Sequence, residues 1–346
     1  MVSPEIVSMR SVKFFLKLYL FGLEYREDIR AFPVYRKVGF NVFPFFRKFE
    51  RKLFIRYSDK LIKKYIRDYG RPDLIHCHGA FWAGEASLHL KEKYGIPYVI
   101  TEHSSDVMQE NYSVEKEELL KCIYRESIML IAVSEKLKRA VEKLGEKKVL
   151  VVPNVVDTAK FKKSENRDPY KLININTLSE NKRVDDLIES FALVREKYKH
   201  AELHIVGDGQ ERSALENLAI RLGIFENVIF HGSIPHYQID NLIEGKGILI
   251  STSQYETFGV TLIEAMAKGL PVVATKCGGP EDFVNEDNGV LVDVGDLRAI
   301  SQAIIAVIEN YKHYSSDNIA NFVQVNFGRK SIAEKLGEIY LSVIND

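Results

Sequence analysis

The 346-residue chain has few cysteines and no long apolar run, and both absences narrow its class. Cys77, Cys122 and Cys277 are far apart and form no Cys-x-x-Cys pair, which argues against a disulfide scaffold or a zinc site. No apolar stretch approaches the roughly 20 residues that span a bilayer. No signal peptide with a small-residue cleavage site is found. We therefore expect a cytoplasmic chain in a reducing compartment.

The formal net charge is also zero, but charge is distributed unevenly along the chain. Residues 11–70 hold 15 Lys and Arg against 6 Asp and Glu, together with 16 Phe and Tyr, so the remainder of the chain is acidic. A basic and aromatic surface suits an anionic membrane or a nucleic acid. Because no nucleic-acid-binding motif accompanies it, we expect no nucleic acid partner. The expected partner of residues 11–70 is the inner face of a membrane, bound peripherally.

Within this basic stretch, residues 45–69 repeat apolar side chains at intervals of three and four, with Arg and Lys between them. This spacing predicts an amphipathic helix. Two interpretations stay open at this point. The helix packs on a sheet and leaves its basic face in solvent, or the same face lies on a membrane or a lipid acceptor.

From Asp73 onward, short apolar runs alternate with amphipathic segments, in two series separated by a polar stretch at 162–169. This alternation predicts an α/β fold with parallel sheets and two Rossmann-like domains that face a cleft. We place the domains at residues 1–155 and 156–346, with the last helix crossing back to the first domain. The predicted helices are 83–94, 135–144, 184–198, 210–222, 260–268 and 297–311.

The segment from Gln254 to Gly269 carries the most chemical information. Glu256 lies in a loop after a predicted strand, where ligands of open α/β sheets bind. A helix begins at about Val260, and the free N–H groups and partial positive charge at a helix N-terminus suit a diphosphate. Glu264 lies about one turn into this helix, where its carboxylate can accept two ribose hydroxyls.

Glu256 and Glu264, eight residues apart with Phe258-Gly259 between them, resemble the signature of the family-4 glycosyltransferases, which are retaining enzymes of GT-B fold. The resemblance implies that Glu256 contacts the donor sugar near its reacting carbon and that Glu264 holds the nucleotide ribose. It also implies that Phe258, Gly259 and Val260 place backbone amides on the diphosphate. The implied donor is a UDP-sugar or a GDP-sugar, with no metal and no other cofactor.

Other segments resemble the same family in the same order. Gly207 lies in what looks like the third Rossmann strand and turn of the second domain, and His231-Gly232 matches the place where the family's backbone contacts the base. Two further matches are the segments Pro153–Asp157 and Gly278–Glu281.

The resemblance also assigns charged groups on both sides of the cleft. Lys182 matches a lysine that neutralises the diphosphate together with an arginine. Thr177 occupies the position of that arginine, so one cation is missing or is supplied by Arg183. His103 matches a histidine that faces the donor sugar and could donate a hydrogen bond to a sugar hydroxyl.

The first domain departs from the family pattern. The family begins with a short strand and a glycine-containing loop, and we find no such unit before Asp73, where Val2–Val7 is the only early candidate. The expected fold is therefore GT-B with an N-terminal domain that lacks its first β-α unit, which would expose two sheet edges.

Two functions follow from these observations. The first is a retaining, metal-independent hexosyltransferase that moves a sugar to a saccharide or lipid-linked acceptor in surface polysaccharide or glycolipid synthesis. The alternative is a truncated, non-catalytic homologue that binds a nucleotide-sugar or a partner glycosyltransferase.

Overall fold

The computed structural model describes residues 2–8, 24–29, 32–41 and 47–345. The first part of the chain forms short strands and amphipathic helices in alternation. Its strands are β1 (Val2–Ser8), β2 (Glu24–Ile29), β3 (Phe32–Asn41), β4 (Ile75–His78), β5 (Tyr98–Glu102), β6 (Met129–Ala132) and β7 (Val149–Val151). Its helices are α1 (Arg47–Tyr69), α2 (Glu85–Tyr94), α3 (Ser105–Met108), α4 (Val114–Glu126) and α5 (Glu135–Gly145).

The second part continues the alternation and ends in three helices. Its strands are β8 (Asp168–Ile175), β9 (Glu202–Val206), β10 (Val228–Gly232), β11 (Lys246–Ser251), β12 (Val272–Thr275) and β13 (Gly289–Val292). Its helices are α6 (Val184–Lys197), α7 (Arg212–Arg221), α8 (Ile239–Ile243), α9 (Val260–Ala267), α10 (Leu297–Glu309), α11 (Ser316–Phe327) and α12 (Arg329–Asn345).

The strands form two parallel sheets in the manner predicted. The first has the order β4-β5-β6-β7, and the second has the order β10-β9-β8-β11-β12-β13. In the second sheet the order reverses beside β8, so the loops after β8 and β11 diverge and leave a crevice at the carboxyl edge. The predicted pair of Rossmann-like domains is therefore confirmed.

The helices predicted from apolar periodicity are confirmed with ends within two residues of the expected ones. Local capping explains the ends of two helices in the first domain. Ser113 and Ser134 precede α4 and α5, and their hydroxyls accept from the amides of Lys116 and Leu137. Helix α4 is not predicted by the sequence pattern, because only three of its side chains are buried and its apolar repeat is correspondingly short.

The chain before Asp73 contains more strands than the sequence predicts. Only Val2–Val7 is anticipated, whereas β1, β2 and β3 form a separate three-stranded sheet of order β1-β3-β2. In it β1 runs parallel to β3 and β2 runs antiparallel. Pro33 and Gly39 lie inside β3 and disfavour a strand prediction, which explains the omission.

The strands β1 and β4 lie at edges of their sheets in the described part of the chain. Neither β1 nor β4 has a second neighbour in its sheet. A groove of about 550 Å³ runs beside β4. Its lining includes Phe54, Ile62 and Tyr65 from α1 and Leu90 from α2. Helix α1 thus turns an apolar side to the protein. This agrees with the first of the two interpretations above, in which the helix packs on the fold and leaves its basic face in solvent.

The last helix contacts the first domain. Ile332 and Ile339 of α12 pack with Ile131 and Val152 at the end of the β4–β7 sheet. The amide of Val156, between the two domains, donates to the carbonyl of Phe327 at 2.9 Å. These contacts hold the C-terminal helix α12 against the first domain. No helix within the described ranges combines the length and apolar character needed to cross a bilayer.

Candidate functional site

A cavity of about 420 Å³ opens at the carboxyl edge of the second sheet. The chain reaches it through the loops that follow β8, β9, β10 and β11, as expected for the binding edge of an open α/β sheet. Six of the residues singled out from the sequence line it: Thr177, Lys182, Gly207, Glu256, Val260 and Glu264.

Glu256 and Lys182 form an ion pair inside this cavity. Lys182 Nζ lies 2.7 Å from Glu256 Oε2, and the two side chains are 17% and 21% exposed. The backbone of Glu256 is held as well, because its amide donates to Cys277 O at 3.1 Å and its carbonyl accepts from Gly279 N at 2.7 Å. This clamp fixes where the Glu256 carboxylate can lie.

Helix α9 begins directly beside this pair. Gly259 has a φ of +101°, a conformation that favours glycine, and it precedes the first helical residue, Val260. The first amide that bonds within the helix is that of Leu262, which donates to Gly259 O at 3.1 Å. The amides of Val260 and Thr261 therefore have no helical partner and lie at the cavity, where they can bind an anion.

Phe258 lies outside the cavity lining and packs into the core of the second domain. Its ring is buried and packs against Phe283 and Phe327 at centroid distances of 5.6 and 5.7 Å. The loop that carries it is tight, since a Cβ on Gly279 would lie 2.2 Å from Phe258 Cα. This packing anchors the start of α9 to the domain core.

Glu264 is almost fully buried, with a side chain 5% exposed, and its Oε1 lies 2.6 Å from His236 Nε2. Burial raises the pKa of the Glu264 carboxyl, whereas the hydrogen bond from His236 and the charge of Lys160 lower it. The net direction is upward. His236 also lines the cavity, and nothing in the sequence pattern marks it.

The turn after β9 approaches the end of β8 very closely. Gly207 has a φ of +133°, and a Cβ there would lie 1.7 Å from the carbonyl oxygen of Asn176. Any side chain at this position would push the two strand ends apart. Thr177 and Asp208 line the cavity at this contact, and Asp208 was not predicted as a site residue from the sequence.

Arg183 does not take the place of the missing arginine in this structure. Its guanidinium lies 2.6 Å from Asp186 on its own helix and is absent from the cavity lining. Its backbone adopts a φ of +45° at the start of α6, and its carbonyl accepts from Thr252 Oγ1 at 2.7 Å. These contacts direct its side chain along α6, so Lys182 is the cation on the described wall of the cavity.

His231 and Gly232 lie at the rim of the second sheet. The ring of His231 turns towards β9, where its Nε2 lies 2.9 Å from His204 Nδ1. Gly232 has a φ of +72°, and its carbonyl accepts from Gly207 N at 2.8 Å. Neither residue is part of the cavity lining, which includes the next residue, Ser233.

Three histidines gather at the carboxyl edge of the first sheet. His103 Nε2 lies 3.0 Å from His78 Nδ1, and His78 stacks on His76 with centroids 4.6 Å apart. His76 Nδ1 contacts Tyr340 of α12 at 2.5 Å. Burial, followed by the neighbouring His78 and His103, lowers the pKa of His76 to about 4. Burial also lowers the pKa of His78 and His103, so all three rings are neutral near pH 7.

Glu102 organises this histidine loop, although it was not predicted as a site residue from the sequence. Its carboxylate is 1% exposed and accepts four hydrogen bonds. Oε1 accepts from the amides of His103 and Ser104, both at 2.9 Å. Oε2 accepts from Ala80 N at 3.0 Å and from Tyr124 Oη at 2.7 Å. The available sequence signal was a glutamate at the end of an apolar strand, because a carboxylate buried there needs several hydrogen-bond donors.

The carboxyl edges of the two sheets contact each other near Glu256 and His103. A Cβ on Gly278, whose neighbours clamp Glu256, would lie 3.1 Å from Met108 Sδ of the first domain. The amide of Glu135 at the start of α5 donates to Asp282 Oδ2 at 2.7 Å. The loops that carry His103 and Glu256 therefore belong to surfaces that touch across the cleft.

We expect Glu102→Gln to destabilise the first domain by roughly 2–4 kcal/mol, because an amide nitrogen cannot accept and leaves buried donors without a partner. Urea denaturation measures the change. Glu118→Gln on α4, where the carboxylate is 68% exposed, is the matched control and should leave the midpoint unchanged. A Glu102→Gln protein with the wild-type midpoint would show that the four bonds do not stabilise the loop.

Comparison with known proteins identifies the family. Residues 155–320 match the model described as glycosyl transferases group 1, and residues 17–160 match the model described as glycosyltransferase family 4. The chain is 26% identical over 291 residues to N-acetyl-alpha-D-glucosaminyl L-malate synthase of Bacillus anthracis, covering 79% of this chain and 76% of that one. It is 25% identical over 337 residues to the putative teichuronic acid biosynthesis glycosyltransferase TuaC of Bacillus subtilis, covering 92% and 82%.

Solved structures show the same architecture. HepE of Anabaena in complex with UDP superposes with a TM-score of 0.72 at 22% identity, covering 82% of each chain. Sucrose-phosphate synthase of Thermosynechococcus elongatus gives a TM-score of 0.72 at 22% identity, covering 85% of this chain and 79% of that one. These similarities establish the GT-B fold. With the two family models spanning residues 17–320, the chain belongs to the family-4 glycosyltransferases.

Proposed function

We propose that this glycosyltransferase moves a sugar, with retention of configuration, from a nucleoside diphosphate sugar to a saccharide or lipid-linked acceptor in surface polysaccharide or glycolipid synthesis. The observation that carries the proposal is the convergence of Lys182, Glu256, Glu264 and the free amides of α9 on one cavity. The name of one relative, a putative teichuronic acid biosynthesis glycosyltransferase, supports the acceptor class.

The cavity suggests a role for each group in donor binding. Glu264 would accept the ribose hydroxyls, and the amides of Val260 and Thr261 would bind the diphosphate. Lys182 is paired with Glu256 at 2.7 Å. A diphosphate would compete for Lys182, and Glu256 would then be free to contact the sugar. The donor is a UDP-sugar or a GDP-sugar, and HepE, a protein of the same fold, is seen with UDP-glucose.

In the proposed reaction no enzyme group forms a covalent bond to the sugar. The departing diphosphate accepts the acceptor's proton on the same face, while Lys182 and the start of α9 stabilise its charge, which is electrostatic preorganisation. His103, neutral because burial lowers its pKa, would donate to a sugar hydroxyl. Residues 1–155 would supply the acceptor side and residues 156–346 the donor side, with water excluded when they close.

A second candidate is a non-catalytic homologue that binds a nucleotide-sugar or a partner glycosyltransferase. The observation that favours it is the open edge of β4, which leaves the first domain with a groove of about 550 Å³ next to His76 and His78. Both candidates bind the donor, and only the first transfers the sugar.

We expect Glu264→Ala and Lys182→Ala to weaken UDP or GDP binding by on the order of 10- to 100-fold, because each removes charge-assisted hydrogen bonds in a secluded site. Isothermal titration calorimetry with UDP, GDP and ADP measures the affinities. Lys197→Ala, which removes an exposed partner of Glu309, is the control and should bind as the wild type does. If none of the three nucleotides binds the wild type, and Glu264→Ala changes nothing, the donor site is assigned wrongly.

We also expect the product to keep the anomeric configuration of the donor sugar and the rate to be unaffected by EDTA, because the proposed transfer uses Lys182 and helix amides instead of a metal. Proton NMR of the product, read from the anomeric coupling constant, tests the first point. An inverted product, or activity that EDTA abolishes and a divalent cation restores, would refute this mechanism.

The same enzyme has a basic stripe that suits a membrane surface. Along α1 the exposed residues Lys52, Arg56, Lys60, Lys63 and Arg67 follow one another at intervals of three or four, and therefore share one face. The opposite side of α1 is buried at Ser58, Leu61 and Ile62, while Asp59 lies beside the stripe and pairs with Lys63 at 3.4 Å. We propose that this stripe binds anionic lipid headgroups and brings the cleft close to a lipid-linked acceptor.

We expect the triple change Lys52→Glu, Arg56→Glu and Lys60→Glu to reduce binding to phosphatidylglycerol vesicles by more than about 100-fold, since each basic residue near such a surface contributes about 1 kcal/mol. Vesicle flotation at low and high salt measures the binding. The control reverses three exposed lysines of the second domain, Lys199, Lys312 and Lys330, and should bind normally. Wild-type protein that binds duplex DNA but not vesicles would contradict the proposal.

A further inference from the structure

The buried carboxylate of Glu264 is held by one side chain from a different loop. His236 opens the turn between β10 and α8, and its Nε2 lies 2.6 Å from Glu264 Oε1. The two groups differ in exposure, since the Glu264 side chain is 5% exposed and the His236 side chain is 67% exposed. His236 therefore contacts solvent at the rim of the cavity while it reaches inward to the carboxylate.

The surroundings of the imidazole indicate the direction of its hydrogen bond. A carboxylate oxygen only accepts, so Nε2 is the donor to Glu264 Oε1. Lys160 Nζ donates to the carbonyl of His236 at 2.8 Å. The ring also packs edge-on against Phe161, with centroids 6.0 Å apart. His236 thus donates from Nε2 to Glu264 and is held in place by Lys160 and Phe161.

The charges around Glu264 oppose one another. Burial raises the pKa of its carboxyl, and the hydrogen bond and charge of His236, followed by the charge of Lys160, lower it. Lys182, Glu256 and Asp208 line the same cavity. Because the net shift is upward, loss of His236 would raise the pKa of Glu264 further. The carboxylate would then be lost at a higher pH, and a protonated Glu264 accepts hydroxyls more weakly than a carboxylate does.

We propose that His236 is a positioning residue of the donor site, which holds Glu264 Oε1, keeps the carboxylate ionised and leaves Oε2 to accept the ribose hydroxyls. This inference rests on the proposed function, in which Glu264 binds the ribose. His236 does not touch the reacting atoms. It sets the pH below which the nucleotide binds weakly. Through its carbonyl, which accepts from Lys160, it also connects the ribose site to the beginning of the second domain.

The experiment is calorimetric titration of UDP and GDP between about pH 5.5 and 8.5 into the wild type, His236→Ala and His236→Gln. We expect His236→Ala to bind about tenfold more weakly at about pH 6, the value for one charge-assisted hydrogen bond, and to approach wild-type affinity at about pH 8.5. In a plot of affinity against pH, the loss of binding on the acid side should occur at a higher pH for His236→Ala than for the wild type. His236→Gln keeps an N–H donor and should retain most of the wild-type affinity.

Tyr237→Ala is the matched control, since Tyr237 is the next residue, is 71% exposed and should not alter the curve when removed. Thermal melting of each variant checks that it is folded. A loss in His236→Ala that is equal at every pH, no loss at all, or a His236→Gln protein that behaves like His236→Ala overturns the inference. If the wild type binds nucleotide and Glu264→Ala does not, such a result leaves the proposed function intact. If the wild type binds no nucleotide, the proposed function fails and the inference fails with it.

Discussion

The backbone clamp on Glu256 is the contact on which the rest of the site depends. Its amide and carbonyl pair with the backbone of Cys277 and Gly279, which joins the loop after β11 to the loop after β12. The clamp fixes the Glu256 carboxylate, and Gly279 packs so closely on Phe258 that the start of α9 is fixed with it. Gly278, between the two clamping residues, faces Met108 of the other domain. One short backbone pairing therefore positions Glu256, the start of α9 and a contact between the domains.

Each acid of the proposed donor site is paired with a side-chain nitrogen. Lys182 contacts Glu256, and His236 contacts Glu264. Such pairing lowers the cost of burying charge. In the proposed function, the diphosphate would compete with Glu256 for Lys182, and the ribose would share Glu264 with His236.

The carboxyl edge of the first sheet is organised differently, around the buried carboxylate of Glu102 and the C-terminal helix α12. Glu102 fixes the backbone at His103, and Tyr340 of α12 fixes the ring of His76. The histidines are held neutral by burial, so they are suited to donate or accept hydrogen bonds and not to carry charge. Because α12 packs on Ile131, the C-terminal end of the chain stabilises the sheet that carries these histidines. The edge of that sheet at β4 is open in the described part of the chain.

The sequence by itself determined the elements whose signal is local. Apolar periodicity predicts the main helices, and the alternation of strands and helices predicts two parallel sheets, because a parallel crossover permits few arrangements. The spacing of Glu256, Gly259 and Glu264 places them on one loop and the helix that follows it. Tertiary structure alone decided which side chains meet. His236 reaches Glu264 from 28 residues away, and Glu102 accepts a hydrogen bond from Tyr124, 22 residues away. Such pairings depend on how distant loops pack, and no short spacing in the chain records that.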